Sequence, residues 1–258
     1  MNQKKKIVFL ASDCESSRWV YNALKDQYAF VGIILENPIA KSTLIKKRIK
    51  KIGILKVIGQ VLFSMLLVPF LKKQAKNRRA ALIENYHLDS SPFPTEAIRT
   101  NSINSELSKA SLINLQPDFV LVNGTRIISQ NILGCCNARF INMHVGITPW
   151  YRGSHGGYWA MRNNDLSNFG TTIHLVDKGV DTGAVIRQAF IQPTKADNFT
   201  SYPILQTAIG IQALKELYPD LLLNNFTIVQ HKEKGKMYYQ PGFLDYLFTK
   251  YKIKTPIH

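Results

Sequence analysis

Short β-branched apolar runs alternate along this chain with stretches whose apolar residues recur every three or four positions, which predicts an α/β protein. Ile7-Val8-Phe9-Leu10-Ala11 is uniformly apolar and reads as a strand buried on both faces. A polar turn follows, Ser12-Asp13-Cys14-Glu15-Ser16-Ser17, and then Trp19, Val20, Ala23 and Leu24 fall at helical spacing. Phe30 to Leu35 gives the second strand. Strand, turn, helix, strand is the opening of a doubly wound, mostly parallel sheet, in which ligands sit beyond the carboxyl ends of the strands. Ser102 to Leu115 reads as a helix stopped by Gln116-Pro117-Asp118, and Phe119 to Val122 as a further buried strand. A short helix around Ile132-Leu133 leads to a strand over Arg139 to His144, with Asn142 and His144 at its tip. Thr171 to Val176 and Ala184 to Phe190 are expected to pair around the Asp177 to Gly183 turn, before a helix over Ser201 to Leu217. Thr227 to Gln230 and Met237 to Tyr239 then suggest a small terminal ribbon. Residues 1–220 are read as one domain with an inserted helical segment at 41–85, and 221–258 as a small C-terminal β extension.

The insertion breaks the pattern. Lys41 to Ala80 holds twelve Lys and Arg and no acidic residue, and encloses a mostly apolar run from Ile52 to Leu71. That run has the length of a bilayer span. Lys56, Gln60 and Pro69 oppose spanning, and basic clusters on both flanks give no inside-outside asymmetry. Three readings stay open: a helix lying on an anionic membrane surface, a hairpin packed on its own domain, or a contact in a homodimer.

Charge changes the picture further. The 33 Lys and Arg against 17 Asp and Glu give a formal net charge of +16, which calls for an anionic partner. The three cysteines, Cys14 and the vicinal Cys135-Cys136, offer neither a disulfide framework nor zinc spacing. A reduced, cytoplasmic protein without a metal centre is expected, peripheral to the membrane if the insertion meets lipid. The basic start, Met1 to Lys6, precedes too short an apolar run for a signal sequence.

The candidate chemistry lies between Phe140 and Gln188. A strand ending in Asn142-x-His144 projects both side chains to one face, because strand neighbours alternate. If Asp181 approaches His144, the three groups supply an amide donor, an imidazole and a carboxylate that orients it, the elements of an acyl-transfer site. The alternative is that these residues are hydrogen-bonded structure at strand ends. The first turn carries no glycine fingerprint for a dinucleotide. An anion at that helix N-terminus and capping by Ser16 or Ser17 are both open there.

Asn142-x-His144, Thr148-Pro149-x-Tyr151-Arg152-Gly153, Gly170-x-Thr172-x-His174 and Asp181-x-Gly183-x-x-Ile186-x-Gln188 together resemble the folate-dependent formyltransferase family. The resemblance is strong over 117–215, weaker over 5–36, and absent over roughly 40–85 and the last 30 residues. It implies a formyltransferase-like variant of the Rossmann fold, and transfer of a formyl group from N10-formyltetrahydrofolate to a primary amine. It implies Asn142, His144 and Asp181 as the catalytic group. The folate would lie against Thr125, Arg126, Ile127 and Ile128, and against Val176, Asp177, Gly179 and Val180. Ser12, Arg152, Gly153 and His155 match positions near the acceptor, with a packing role equally open for His155.

Departures from the family narrow the acceptor. His144-Val145-Gly146-Ile147-Thr148-Pro149 stands where members commonly have His-Pro-Ser-Leu-Leu-Pro, at the same length. The glycine-rich first turn of the glycinamide ribonucleotide branch is missing. Its Gln-Glu-His is replaced by Gln206-Thr207-Ala208. Residues 182–258 are too few for the core and the C-terminal domain of the tRNA branch together, so no nucleic acid partner is expected. The acceptor expected is a small anionic amine, a nucleotide-linked amino sugar of surface-polysaccharide synthesis. The alternatives are a formyltetrahydrofolate hydrolase, whose extra N-terminal domain is not seen before Ile7, and a non-catalytic, membrane-recruited protein that keeps the fold.

Overall fold

The computed structural model describes residues 5–233 and 235–250. The first four residues of the basic start, Lys234 of the predicted terminal turn and residues 251–258 of the predicted extension lie outside this range. Elements run β1 (Ile7–Ser12), α1 (Glu15–Tyr28), β2 (Gly32–Glu36), α2 (Lys41–Ile52), α3 (Ile54–Leu62), a π turn (Phe63–Leu67), α4 (Val68–Gln74), α5 (Lys76–Asn85) and β3 (Ile98–Thr100). They continue with α6 (Glu106–Leu115), β4 (Phe119–Asn123), α7 (Gln130–Leu133), β5 (Arg139–His144), β6 (Tyr151–Gly153) and α8 (Gly156–Arg162). A 3-10 turn (Leu166–Asn168), β7 (Gly170–Leu175), β8 (Val185–Phe190), α9 (Tyr202–Leu223), β9 (Lys236–Tyr238) and α10 (Phe243–Lys250) complete the chain.

A seven-stranded sheet of order β3-β2-β1-β4-β5-β7-β8 forms the centre. Pairs from β3 through β5 are parallel, and β5-β7 and β7-β8 are antiparallel. The predicted doubly wound, mostly parallel sheet is therefore present. Alternation along β1 divides the core into its two layers. Ile7, Phe9 and Ala11 pack with Trp19, Val20 and Leu24 of α1 and Leu214 and Leu217 of α9. Val8 and Leu10 turn the other way, toward Leu112 of α6 and Ile132 of α7. Burial on both faces is why β1 and β4 read as unbroken apolar runs.

Several local expectations change. The cap of α1 is Cys14 with no side-chain hydrogen bond, so neither Ser16 nor Ser17 caps it; both lie inside the helix. The predicted helix over Ser102 to Leu115 begins at Glu106, because Ser105 Oγ accepts from Ser108 N and caps it there. β3 and β6 are too short to show a period and were not predicted. Among the described residues the terminal ribbon does not form. Val229 bridges Val185 instead, and β9 pairs in parallel with β6, Arg152 opposite Met237.

The insertion packs one face on its own domain. Phe63, fully buried, lies with its ring centre 4.7 Å from Phe199 and 5.2 Å from Tyr246. Gln60 Nε2 donates to Gln240 O at 2.7 Å, and Asn198 Nδ2 donates to Leu71 O at 2.9 Å. The helical path from Ile54 to Gln74 passes through the π turn just before Pro69, whose ring nitrogen has no proton for an α-helical bond. Beyond it, Arg78 forks onto Asp197 at 2.9 and 3.0 Å, and Asp197 is 1% exposed. Burial acts to raise the Asp197 carboxyl; the Arg78 hydrogen bond and the N–H and hydroxyl of Thr194 outweigh it and hold the group below the usual range.

Arg78→Met would leave that carboxylate buried without its cation and is expected to cost about 2 kcal/mol. Urea unfolding should show a lower midpoint at unchanged slope. Because the folded-state pKa of Asp197 is depressed, its contribution is complete above the unfolded value, about 3.9, and fades as pH falls through the folded one. The variant should lose less stability on acidification over that window than the wild type does.

Candidate active site

β5 ends at the carboxyl edge of the sheet, and its register against β7 sets Asn142 opposite His174 and His144 opposite Thr172. Asn142 Nδ2 donates to His174 Nε2 at 3.1 Å, while His174 Nδ1 donates to Leu175 O at 2.8 Å. His144 is 6% exposed. Its Nε2 donates to Tyr151 O at 2.9 Å and its Nδ1 lies 3.5 Å from Asp181 Oδ1, so both ring nitrogens face acceptors.

Asp181 completes the group from the turn between β7 and β8. Its backbone is left-handed, φ 52°, a conformation Asp tolerates better than most residues. Oδ2 accepts from Gly153 N at 2.8 Å, and Oδ1 lies 3.7 Å from His174 Nε2. Burial alone would raise this carboxyl; the His144 charge, the His174 imidazole and the Gly153 N–H together hold it down at about 2. It is ionised at any pH the folded protein meets in a cell.

The remaining motif residues shape the loop between β5 and β6. Thr172 Oγ1 donates to Gly146 O at 2.8 Å and accepts from Thr148 N at 3.0 Å. Gln188 Nε2 donates to Thr148 O at 2.7 Å. Gly146 is required by contact rather than by dihedral: a Cβ there would meet Tyr151 O at 2.6 Å and His144 Nε2 at 2.7 Å.

Two cavities meet at Asp181. One, about 110 Å³, is lined by Thr125, Arg126, Ile127, Ile128, Val176, Asp177, Gly179 and Val180, together with Val122, Asn142, His174 and Asp181. The first eight are the residues expected to hold a folate. Their aliphatic side chains, with the polar edges of Arg126 and Asp177, suit a flat heteroaromatic ring. The other cavity, about 450 Å³, is lined by Thr148, Pro149, Arg152, Lys178, Gly183, Gln230, His231 and Glu233 beside Asp181. A larger cavity beside Asp118 and Arg139 lies at the amino ends of β4 and β5, away from these groups.

Arg126 is held in place: Nε lies 2.6 Å from Glu36 Oε2, and Glu36, 3% exposed, also accepts from Ile103 N at 3.0 Å. Arg152 donates to Val180 O at 2.9 Å and Gly235 O at 3.0 Å, and Gly153 supplies the N–H to Asp181. Ser12 and His155 line neither cavity. Ser12 Oγ donates to Gly124 O, and the His155 ring lies tilted against Phe199 at 4.6 Å with Nδ1 3.2 Å from Tyr202 Oη. Burial, with Arg48 nearby, pushes His155 down to about 4. Packing is the role its surroundings give it. His174, Glu36 and the 230–233 segment were not among the expected site residues. His174 carried a signal, its place two residues after Thr172; His231 carried none.

The sequence profile described as formyl transferase matches residues 65–203, just over half of the chain. It begins inside the segment where resemblance was expected to be absent; within that segment α5 packs on α9, with Leu82 buried in the main core. Methionyl-tRNA formyltransferase of Levilactobacillus brevis is 27% identical over 139 residues, covering 54% of this chain and 44% of that protein. The Finegoldia magna enzyme of the same name is 33% identical over 104 residues, 40% of this chain and 32% of that one. The chain thus spans less than half the length of these curated relatives. Among solved structures, a sugar N-formyltransferase from Shewanella superposes with TM-score 0.55 at 18% identity, covering 90% of this chain and 76% of that one. An N-formyltransferase from Helicobacter canadensis, in complex with folinic acid and dTDP-3-aminofucose, gives 0.56 at 13% identity, covering 90% and 70%. At these identities the likeness is one of fold.

Because Asp181 is held at about 2, its carboxyl should stay ionised down to roughly pH 3. Carbon-13 NMR of the side-chain carboxyls, assigned through Asp181→Asn, checks this. A titration midpoint near 4 would mean that the Gly153 N–H and the two imidazoles do not converge on it.

Proposed function

Since this chain belongs to the formyl transferase family, we propose that it transfers a formyl group from N10-formyltetrahydrofolate to the amine of a nucleotide-linked amino sugar. The observation that carries the reading is the meeting of the two cavities at Asp181, with Asn142 and His174 at the wall of one and Arg152 and Lys178 at the wall of the other. Donor and acceptor placed in them would meet beside the three predicted catalytic groups.

The bound folate supplies the activated formyl group. The chain's own residues do the rest. Asn142 Nδ2 gives one N–H to His174 and keeps a second for the negative charge that develops on the formyl oxygen, a contribution typically worth about 100-fold; the His144 ring adds a donor there only by leaving Tyr151 O. The acceptor nitrogen attacks as the free amine, so it must lose a proton on entering the site. Asp181, ionised at the boundary of both cavities, holds the His144 ring and steers the amine's proton out through water, which carries it away because a carboxyl at about 2 is too weak a base to keep it. The new carbon–nitrogen bond forms as the bond to folate N10 breaks, and N10 takes up a proton. His174 accepts from Asn142 and so orients the amide toward the carbonyl.

The amino-sugar acceptor draws support from the formal charge of +16, which suits a diphosphate, and from the folds the chain resembles; Arg152 and Lys178 share the second cavity's wall with Asp177, Asp181 and Glu233. Polysaccharide synthesis in the cytoplasm is the setting this acceptor implies. A division near 220 would set the segment carrying Gln230, His231 and Glu233, which line this cavity, apart from the catalytic domain.

Incubation with N10-formyltetrahydrofolate and a panel of nucleotide amino sugars should give a product heavier by one formyl group. Formate released without any amine would replace transfer by hydrolysis, and absence of folate binding would remove the catalytic reading. Asn142→Ala, His144→Ala and Asp181→Asn are each expected to lower kcat by about 100-fold or more with the circular dichroism of the fold retained, and His144→Ala should also lower the melting temperature because it strips buried Asp181 of a partner. Near-normal turnover in any of the three would contradict its assignment.

A further inference from the structure

The helical path from Ile54 to Gln74 is long and apolar enough to cross a membrane, yet only 22% of its apolar window is buried. Its two faces differ. Val57, Gln60, Phe63 and Leu71 are buried against the domain. Leu55, Ile58, Leu62, the adjacent pair Met65 and Leu66, and Phe70 recur at helical spacing around the opposite side and are exposed, Leu55 by 82% and Met65 by 69%. On the neighbouring α10, which packs on α3, Leu244 and Phe248 are exposed as well. A contiguous apolar surface of this kind marks an interaction site.

We propose that this face docks the protein on an anionic lipid bilayer, with the α3–α4 axis in the plane of the membrane. Spanning is excluded by the packed face: Phe63 and Leu71 lie among Phe199, Tyr158 and Tyr202, so lipid cannot surround the helix. Charge selects the occupant. The exposed lysines 46, 47, 50 and 51 on α2 and 72, 73 and 76 around α4 flank the apolar stripe, and no acidic residue occurs from Lys41 to Ala80. A second copy meeting the stripe through a two-fold axis would set these cations against themselves. A bilayer with acidic headgroups offers apolar chains to the stripe and phosphates to its flanks.

The test is flotation of the full chain with phosphatidylcholine vesicles, with and without phosphatidylglycerol. Wild type should float with the anionic vesicles only, and binding should fall by about tenfold or more at high salt. The triple substitution Leu55→Glu, Met65→Glu, Phe70→Glu should reduce binding at least about tenfold with unchanged circular dichroism and melting. Lys46→Glu with Lys47→Glu and Lys50→Glu, on the outside of α2, should do the same and serves if the first variant does not fold. Wild type that fails to float, that floats equally with neutral vesicles, or that forms a dimer dissolved by the triple substitution would overturn the proposal.

Discussion

An ionised carboxylate with little contact with water needs partners, and the arrangement of partners around Asp181 organises this end of the molecule. A backbone N–H from β6, an imidazole from β5 and an imidazole from β7 reach it from three strands in two sheets. Each requires something further of the chain. Gly153 adopts φ +91° and lies so close to Tyr238 O that a side chain would clash. Gly146 leaves room for the His144 ring to meet Tyr151 O, and Gly183 lies against Leu175 O where no side chain fits. The turn that carries Asp181 is tied down in turn, with Thr182 Oγ1 and Gly179 N donating to Asp177. The result is a charge fixed at the boundary of two cavities before any ligand arrives, which is the preorganisation that acyl transfer rewards.

The layered sheet was legible because its strands are buried on both faces, and a run such as Phe119 to Val122 has no other stable use. Asn142 and His144 were legible because strand alternation puts them on one face whatever the rest of the fold does. Asp181 depended on family resemblance; its distance along the chain hides a 3.5 Å approach. What could not be read was made by contacts between distant segments too short to carry a period. β6 and β9 are three residues each, and Glu36 reaches Arg126 across 90 positions. The tail from 227 departs from its pattern for the same reason. Its two apolar stretches suggested a local pair, but Val229 and Met237 found partners in β8 and β6, whose exposed edges were invisible in sequence.

The insertion shows a different division between pattern and outcome. Its composition marked it as unusual, and its apolar length was compatible with a span, a surface helix or an internal one. Packing settled only one side of the helix. Phe63 and the Arg78–Asp197 fork bind it to the domain, and the remaining apolar side is left facing outward between lysine-rich flanks. The same ribbon that donates Gly153 to Asp181 lines, through Met237 and Tyr238, a groove of about 570 Å³ bounded by Leu55 and Phe243. The exposed apolar face and the Asp181 cluster thus share an element.

The central claim is that Asp181 stands between a formyl donor on one side and an amine on the other. A crystal structure with 5-formyltetrahydrofolate bound tests it most directly. The pterin is expected between Thr125–Ile128 and Val176–Val180, with the formyl-bearing edge turned toward Asn142, His144 and Asp181. Folate seated elsewhere, or seated there with that edge directed away from Asp181, would contradict it.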